Sequence, residues 1–135
     1  MIDLESTTDA LNKTATVQDR ILGSTDEEID AAVVTVTCAL AHPILRRASA
    51  SFRSGGLRRE VPVLLRTDCG SLVEGIVDLA FREDSPDFAG WTVVDFKTDH
   101  ELEGSSDRYL DQVRWYSTAV REATNLPTRG VLLVI

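Results

Sequence analysis

The stretch WTVVDFKT, residues 91–98, is a compact apolar run that predicts a central β-strand. Two charged residues, Asp95 and Lys97, interrupt it. Because side chains alternate along a strand, a spacing of two places both charges on the same face. A charge buried in such a strand is unfavourable by several kcal/mol unless another group compensates it. We therefore expect the two charges to be compensated by each other, by water or by a metal ion.

Two further strands precede this stretch. Residues 59–67 alternate in hydropathy, residues 68–70 have the composition of a turn, and residues 71–82 form a second strand-like run. These features predict a hairpin, joined to the strand at residues 91–98 by a loop over residues 83–90. The three strands should therefore run antiparallel, as a meander.

A helix and a fourth strand follow. Residues 99–106 predict a loop, residues 108–124 have helical spacing, and residues 130–135 form an apolar run that predicts a buried strand. The apolar stripe of the helix consists of Leu110, Val113, Tyr116 and Val120. A helix between the third and fourth strands makes a crossover, so these two strands should be parallel. The predicted fold class is α/β with a mixed sheet.

The N-terminal part of the domain is predicted to be helical. Thr25, followed three residues later by a glutamate, forms a capping box that should begin a helix running to about Leu40. Pro43 interrupts the chain, and a proline disfavours helical geometry in the residue before it. His42 should therefore lie at the corner between this helix and a second one over residues 44–50.

Length and charge bound the organisation of the chain. Its 135 residues suffice for one core, and we assign the domain to residues 25–135, with residues 1–24 loosely ordered. The net charge of −8 opposes DNA binding, but residues 1–30, with eight acidic and two basic residues, account for most of it. Neither a membrane span nor a secretory signal is recognisable, so we expect a cytoplasmic protein.

A second carboxylate, Asp78, stands among the apolar strand residues GIVDLAF, residues 75–81. Two acids on adjacent strands suggest a shared cation, because Mg²⁺ is typically held by one or two carboxylates and by substrate phosphate. Such a cation can activate water, and a nearby lysine can stabilise the charge that builds up on phosphate. Asp78, Asp95 and Lys97 thus form a minimal set of residue types for phosphodiester hydrolysis. The alternative is an ordinary salt bridge at the end of a strand.

Three short motifs together resemble the RecB-like branch of the PD-(D/E)XK nucleases. They are G-x-x-D at residues 75–78, D-x-K at residues 95–97 and Q-x-x-x-Y at residues 112–116. Upstream, residues 42–47 (HPILRR) are similar to the histidine segment of that branch, and residues 59–62 (REVP) to its E-x-P strand. The resemblance is strongest to the C-terminal nuclease domain of bacterial helicase-nucleases of the AddA and RecB kind, from about residue 40 onward.

This resemblance implies a restriction-endonuclease-like fold and a set of site residues. His42, Asp78 and Asp95 would bind Mg²⁺ or Mn²⁺, with the backbone carbonyl of Phe96 completing the shell. Lys97 would be the catalytic lysine. Taken alone, a histidine before a proline is more often a helix cap than a metal ligand.

Further residues are assigned supporting roles. The resemblance implies that Gln112 and Tyr116 shape the active site and its DNA contacts, and their spacing of four places them on one helix face. Glu60 either belongs to the active site or is a solvent-facing strand residue. Arg46 and Arg47 belong to an arginine cluster that either faces phosphate or is an ordinary solvated surface.

The expected function is that of a metal-dependent deoxyribonuclease. The resemblance implies an exonuclease acting on single-stranded DNA ends delivered by a helicase domain or subunit, in DNA end processing and recombinational repair. Members of that branch that carry an iron-sulfur cluster hold it with four cysteines, and this chain has two, so we expect no cluster. A Walker A motif is absent from the sequence. The alternatives are a catalytically silent nuclease-like module for DNA binding or subunit docking, and an acidic protein-protein adaptor whose strand charges are only salt bridges.

Overall fold

A computed structural model of the protein describes residues 25–135. These residues form two compact units, one of residues 25–49 together with Ile135 and one of Ala50–Val134. The loosely ordered segment predicted for residues 1–24 lies outside the described residues. The assignment of residues 25–135 to one nuclease domain stays a prediction.

The first helix, α1, spans Asp26–Ala41 and begins at the predicted capping box. The Thr25 hydroxyl accepts a hydrogen bond from the Glu28 N–H (3.3 Å), and the Glu28 carboxylate accepts one from the Thr25 N–H (2.8 Å). These bonds satisfy backbone donors that a helix N-terminus otherwise leaves free. The bond from the Thr25 N–H also lowers the pKa of Glu28. The predicted start of this helix is confirmed.

The second helix, α2, spans Pro43–Arg53, and His42 forms the corner before it as predicted. His42 has extended backbone angles, and proline is favourable as the first residue of a helix because its missing N–H would be unpaired there. The helix runs three residues beyond the predicted end. Between residues 25 and 135, no single helix is long and apolar enough to cross a bilayer, although α1 and α2 together, as a bent pair, meet the criteria of length and composition.

Four strands form one mixed sheet in the order β1-β2-β3-β4. Their bounds are Leu57–Arg66 for β1, Leu72–Asp84 for β2, Ala89–Lys97 for β3 and Thr128–Val134 for β4. The first three strands pair antiparallel, and β3 and β4 pair parallel. The crossover between β3 and β4 contains helix α4, Ser106–Thr124. The predicted meander, parallel pair and mixed α/β sheet are therefore confirmed.

Helix α4 packs on one face of this sheet. The buried core there consists of Val77, Ala80, Val93 and Val120, with Val61, Val63, Trp91 and Tyr116 packed around it. Of the predicted helix stripe, Val113 and Val120 are buried and Tyr116 is half-buried, whereas Leu110 is exposed. The stripe is therefore one turn shorter at its N-terminal end than the spacing predicts.

Two further predictions are corrected. The fourth strand is not buried, because it lies at the edge of the sheet, and Leu133 is the buried residue along it. The segment after β3, predicted as a loop, contains a short helix, α3, Asp99–Leu102. Thr98 and Glu101 form a capping box there with the same spacing as the one that begins α1. The signal for α3 was thus present in the sequence, within a segment whose polarity suggested a loop.

Candidate active site

The site begins with an irregularity at Glu60 and Asp78. Strands β1 and β2 pair on both sides of these two residues but not between them. Glu60 has a φ of 49°, a left-handed value that is uncommon for a residue other than glycine. Val77 and Ala80 both face the α4 core, although a spacing of three would place them on opposite faces of a regular strand. The regular alternation of side chains between the two faces of the sheet is therefore interrupted at Glu60 and Asp78.

Asp78 stabilises the end of β3. The pairing of β2 with β3 begins one residue after Asp78, at Leu79 and Val94. Continued for one residue, this register places Asp78 opposite Asp95. Beyond the paired residues, the Phe96 N–H donates a hydrogen bond to Asp78 Oδ2 (2.9 Å). The Asp78 carboxylate thus binds a backbone N–H of β3 beyond the last paired residues of β2 and β3. It also lies beside Asp95.

Asp95 and Lys97 lie on the same face of β3, as their spacing predicts. Lys97 Nζ is 2.9 Å from Asp95 Oδ2. The ammonium also donates a hydrogen bond to the Phe96 carbonyl oxygen (3.1 Å) and lies 5.0 Å from the centroid of the Tyr109 ring. The charge of Lys97 is therefore positioned by a carboxylate, a carbonyl and an aromatic face.

The Asp95 carboxylate is an unusual group for the centre of a sheet. Asp95 is 3% exposed, and within the described chain its Oδ2 has no hydrogen-bond donor. The Lys97 ammonium, 2.9 Å from this oxygen, is its charged neighbour. Burial raises the pKa of Asp95, the nearby charge of Asp78 adds to this, and the ion pair with Lys97 only partly offsets them. Burial alone would lower the pKa of Lys97, but the Asp95 carboxylate raises it overall.

These oxygen atoms fit a small divalent cation. Asp78, Asp95 and the Phe96 carbonyl offer oxygen ligands, which Mg²⁺ and Mn²⁺ prefer. A buried carboxylate oxygen with a single ammonium as its neighbour still has a lone pair that could coordinate a cation. Across residues 25–135, no group of three His, Cys, Asp or Glu side chains is arranged to hold a metal ion. Mg²⁺ is typically held by one or two carboxylates and keeps several waters, so these groups could be enough for it.

The sequence matches no family model, and no curated protein matches it. Three predicted site residues, His42, Arg46 and Arg47, belong to the first unit. His42 Nδ1 accepts a hydrogen bond from the Ile44 N–H (3.2 Å), which is the capping contact considered as the alternative to a ligand role. Arg46 and Arg47 are exposed on α2. The metal role of His42 and the phosphate role of the two arginines stay predictions.

Gln112 and Tyr116 form a pair on one face of α4, as their spacing predicts. The Gln112 amide donates a hydrogen bond to the Tyr116 hydroxyl (2.9 Å). The Tyr116 ring lies against Gly75, where a Cβ atom would come within 2.5 Å of ring atom Cε1. The glycine three residues before Asp78 thus permits the Tyr116 ring to lie against β2. This pair supports the strand that carries Asp78.

Two features of the site were not found from the sequence. One is Tyr109, which the sequence motifs do not include and whose ring lies near the Lys97 ammonium. It stands three residues before Gln112, a helical spacing that could have placed it on a neighbouring part of the same surface. The left-handed backbone of Glu60 leaves no signal in the sequence, because glutamate rarely adopts it.

Proposed function

We propose that this chain is a divalent-metal-dependent deoxyribonuclease domain of the RecB-like PD-(D/E)XK kind, with a restriction-endonuclease-like fold. The observation that supports this most strongly is the buried Asp95 carboxylate, whose Oδ2 lies 2.9 Å from the Lys97 ammonium and has no other polar partner within the described chain. Asp78 lies on the adjacent strand, where it contacts the backbone of Phe96. Two acids, a carbonyl and an ammonium suit hydrolysis of a phosphodiester better than they suit a structural core.

Each residue has a proposed task. Asp78, Asp95 and the Phe96 carbonyl hold Mg²⁺ or Mn²⁺, and His42 is a further proposed ligand. The cation supplies charge neutralisation at phosphate and activation of water. Lys97 presents a positive charge that stabilises the charge developing on the phosphate oxygens. The contact between Asp78 and the Phe96 N–H keeps the end of β3 in place while the chemistry occurs.

The proposed substrate is single-stranded DNA, processed from its ends during recombinational repair in the cytoplasm. Gln112 and Tyr116 support the site, Glu60 borders it opposite Asp78, and Arg46 and Arg47 contact phosphate. A helicase domain or subunit delivers the strand. Such a partner would also provide the positive surface that a net charge of −8 does not.

Cleavage of labelled single-stranded DNA with Mg²⁺, Mn²⁺ or EDTA tests this function. We expect metal-dependent cutting, and a decrease of about 10²-fold or more in Asp95→Asn, which keeps the shape of the side chain but removes its charge. Asp84→Asn is the matched control, since Asp84 is an exposed acid at the end of β2. Cutting that persists in EDTA, or in Asp95→Asn at the rate of the control, would contradict the proposal.

The ion pair between Asp95 and Lys97 also suits a second candidate function. A catalytically silent nuclease-like module would retain this pair as a structural contact while it binds DNA or docks a subunit. DNA binding without cleavage under any metal would favour that module. An intact fold that binds neither a divalent cation nor DNA would favour an acidic protein-protein adaptor.

A further inference from the structure

The Lys97 ammonium contacts two of the oxygen atoms proposed to bind the cation. Its Nζ lies 2.9 Å from Asp95 Oδ2 and donates a hydrogen bond to the Phe96 carbonyl (3.1 Å). The centroid of the Tyr109 ring, at 5.0 Å, is within the range of a cation–π contact. The Asp95 carboxylate and the Phe96 carbonyl, which hold the ammonium, are thus also proposed metal ligands. The Tyr109 ring is not.

We propose that Lys97 is an internal competitor of the divalent cation, and that cation binding moves its ammonium from Asp95 and Phe96 toward the Tyr109 ring. This inference rests on the proposed metal-dependent function. Mg²⁺ binds such oxygens at about 2.0–2.1 Å, which is closer than the contacts of Nζ. Two positive charges also repel strongly where water is excluded. The ammonium and the cation therefore compete for these oxygens.

This competition has a consequence for the order of events. While the ammonium holds Asp95 and Phe96, it is directed at the protein and not at a substrate. Cation binding releases it, and the Tyr109 ring retains it beside the site. Tyr109 is thus a positioning residue, and Lys97 becomes available to phosphate only when the cation is present. An ammonium that holds the oxygens nine-tenths of the time would raise the apparent Kd for the cation about tenfold.

Calorimetric titration of the full chain with Mn²⁺, without DNA, tests the competition. Lys97→Met removes the charge and keeps an unbranched side chain. We expect its Kd for Mn²⁺ to be about tenfold lower than that of the wild type. An unchanged or higher Kd would overturn the inference. Adding Asp95→Asn to Lys97→Met should abolish the gain in affinity for Mn²⁺. A gain that persists in the double variant would mean that Mn²⁺ binds elsewhere, and it would overturn the inference as well.

A charge control separates competition from a general change in electrostatics. Arg108→Met removes one positive charge from α4, at an exposed position next to Tyr109. Because an exposed charge is well screened, we expect it to change the Kd for Mn²⁺ less than about twofold. If Arg108→Met increased the affinity for Mn²⁺ as much as Lys97→Met does, both effects would be due to net charge, and the inference would be overturned.

A spectroscopic readout follows the ammonium directly. The chain has lysines only at positions 13 and 97, so protein labelled with ¹³C at lysine Cε gives two signals, and Lys13→Arg identifies that of Lys97. Mg²⁺ should shift the Lys97 signal, and Tyr109→Leu should change its position in the presence of Mg²⁺. A Lys97 signal that does not respond to Mg²⁺ would overturn the inference.

The two proposals can fail separately. Titration and spectroscopy contain no DNA, so competition without any DNA cleavage would refute the nuclease function alone. Cleavage that needs Asp95, together with an unchanged Kd for Mn²⁺ in Lys97→Met, would refute the competition alone.

Discussion

At the scale of single residues, the candidate site consists of groups that the fold does not fully compensate. The Asp95 carboxylate is 3% exposed and has an ion-pair partner, but its Oδ2 has no hydrogen-bond donor within the described chain. Burial of such a group opposes folding, because each unsatisfied polar atom loses its bonds to water. Sites that bind a cation or substrate often retain such a local cost in stability.

This cost predicts a pH dependence of stability. The pKa of Asp95 is raised above its ordinary value of 3.8, so the fold favours the protonated form. Relative to the ionised form, the protonated Asp95 carboxyl stabilises the fold. This stabilisation is complete below pH 3.8 and is lost as the pH rises through the higher pKa of the folded state. Asp95→Asn cannot ionise. Its free energy of unfolding should therefore increase relative to the wild type as the pH rises above 3.8.

Urea unfolding of the two proteins in EDTA, followed by tryptophan fluorescence at several pH values between about 4 and 7, measures this difference. Asp84→Asn controls for removal of an exposed carboxylate from the same sheet. A difference between wild type and Asp95→Asn that stays constant with pH would show that Asp95 does not oppose folding when it ionises.

At the scale of secondary structure, the site depends on how Tyr116 of α4 lies against Gly75 of β2. Tyr116 can approach the strand only because residue 75 is glycine. The same tyrosine accepts the hydrogen bond from Gln112. The glycine and the Gln-Tyr pair are 37 residues apart in sequence, and they meet because the crossover returns the chain along the sheet. Residues of two of the sequence motifs, G-x-x-D at residues 75–78 and Q-x-x-x-Y at residues 112–116, thus also contribute to packing.

Gly75→Ala tests this packing. The new methyl group would overlap the Tyr116 ring, and we expect a loss of about 1–3 kcal/mol in the free energy of unfolding. In a Tyr116→Leu background the same substitution should have a much smaller effect, because the ring is absent. Chemical denaturation of the two single variants and the double variant gives the coupling energy. Additive effects would mean that Gly75 and Tyr116 do not constrain each other.

At the scale of the whole molecule, charge limits how the chain can bind DNA. The net charge is −8, and most of the excess acid lies in residues 1–30. Affinity for DNA depends on the release of counterions by Lys and Arg, so the chain alone should bind single strands weakly and with a modest dependence on salt. A helicase partner with a basic surface would supply the missing affinity.

The contribution of Arg46 and Arg47 can be measured from this salt dependence. If both contact phosphate, Arg46→Gln/Arg47→Gln should reduce the slope of log K against log salt by about 0.7 per lost contact on single-stranded DNA. Fluorescence anisotropy with a labelled oligonucleotide in EDTA measures the slope without cleavage. Arg114→Gln/Arg121→Gln, which changes two exposed arginines of α4, is the control. Equal slopes in the two double variants would exclude a specific role of Arg46 and Arg47.

Much of the fold could be predicted from the sequence because it depends on local spacing. The alternation of the strand segments, the polar turns, the capping box at Thr25 and the proline at position 43 each act over a few residues. The antiparallel and parallel pairings then followed from the order of the elements. The burial of β4 was predicted wrongly, because an apolar run does not indicate whether a strand has a neighbour on one side or on both.

The sequence by itself determined the order of helices and strands, the mixed sheet and the placement of Asp95 and Lys97 on one face, since each follows from backbone periodicity. Only the tertiary structure decided the bond from Phe96 to Asp78, the left-handed backbone of Glu60 and the three partners of the Lys97 ammonium. These features depend on distances between separate strands and on side-chain rotamers. Local residue patterns do not encode such distances, because the packing of the whole sheet and helix α4 sets them.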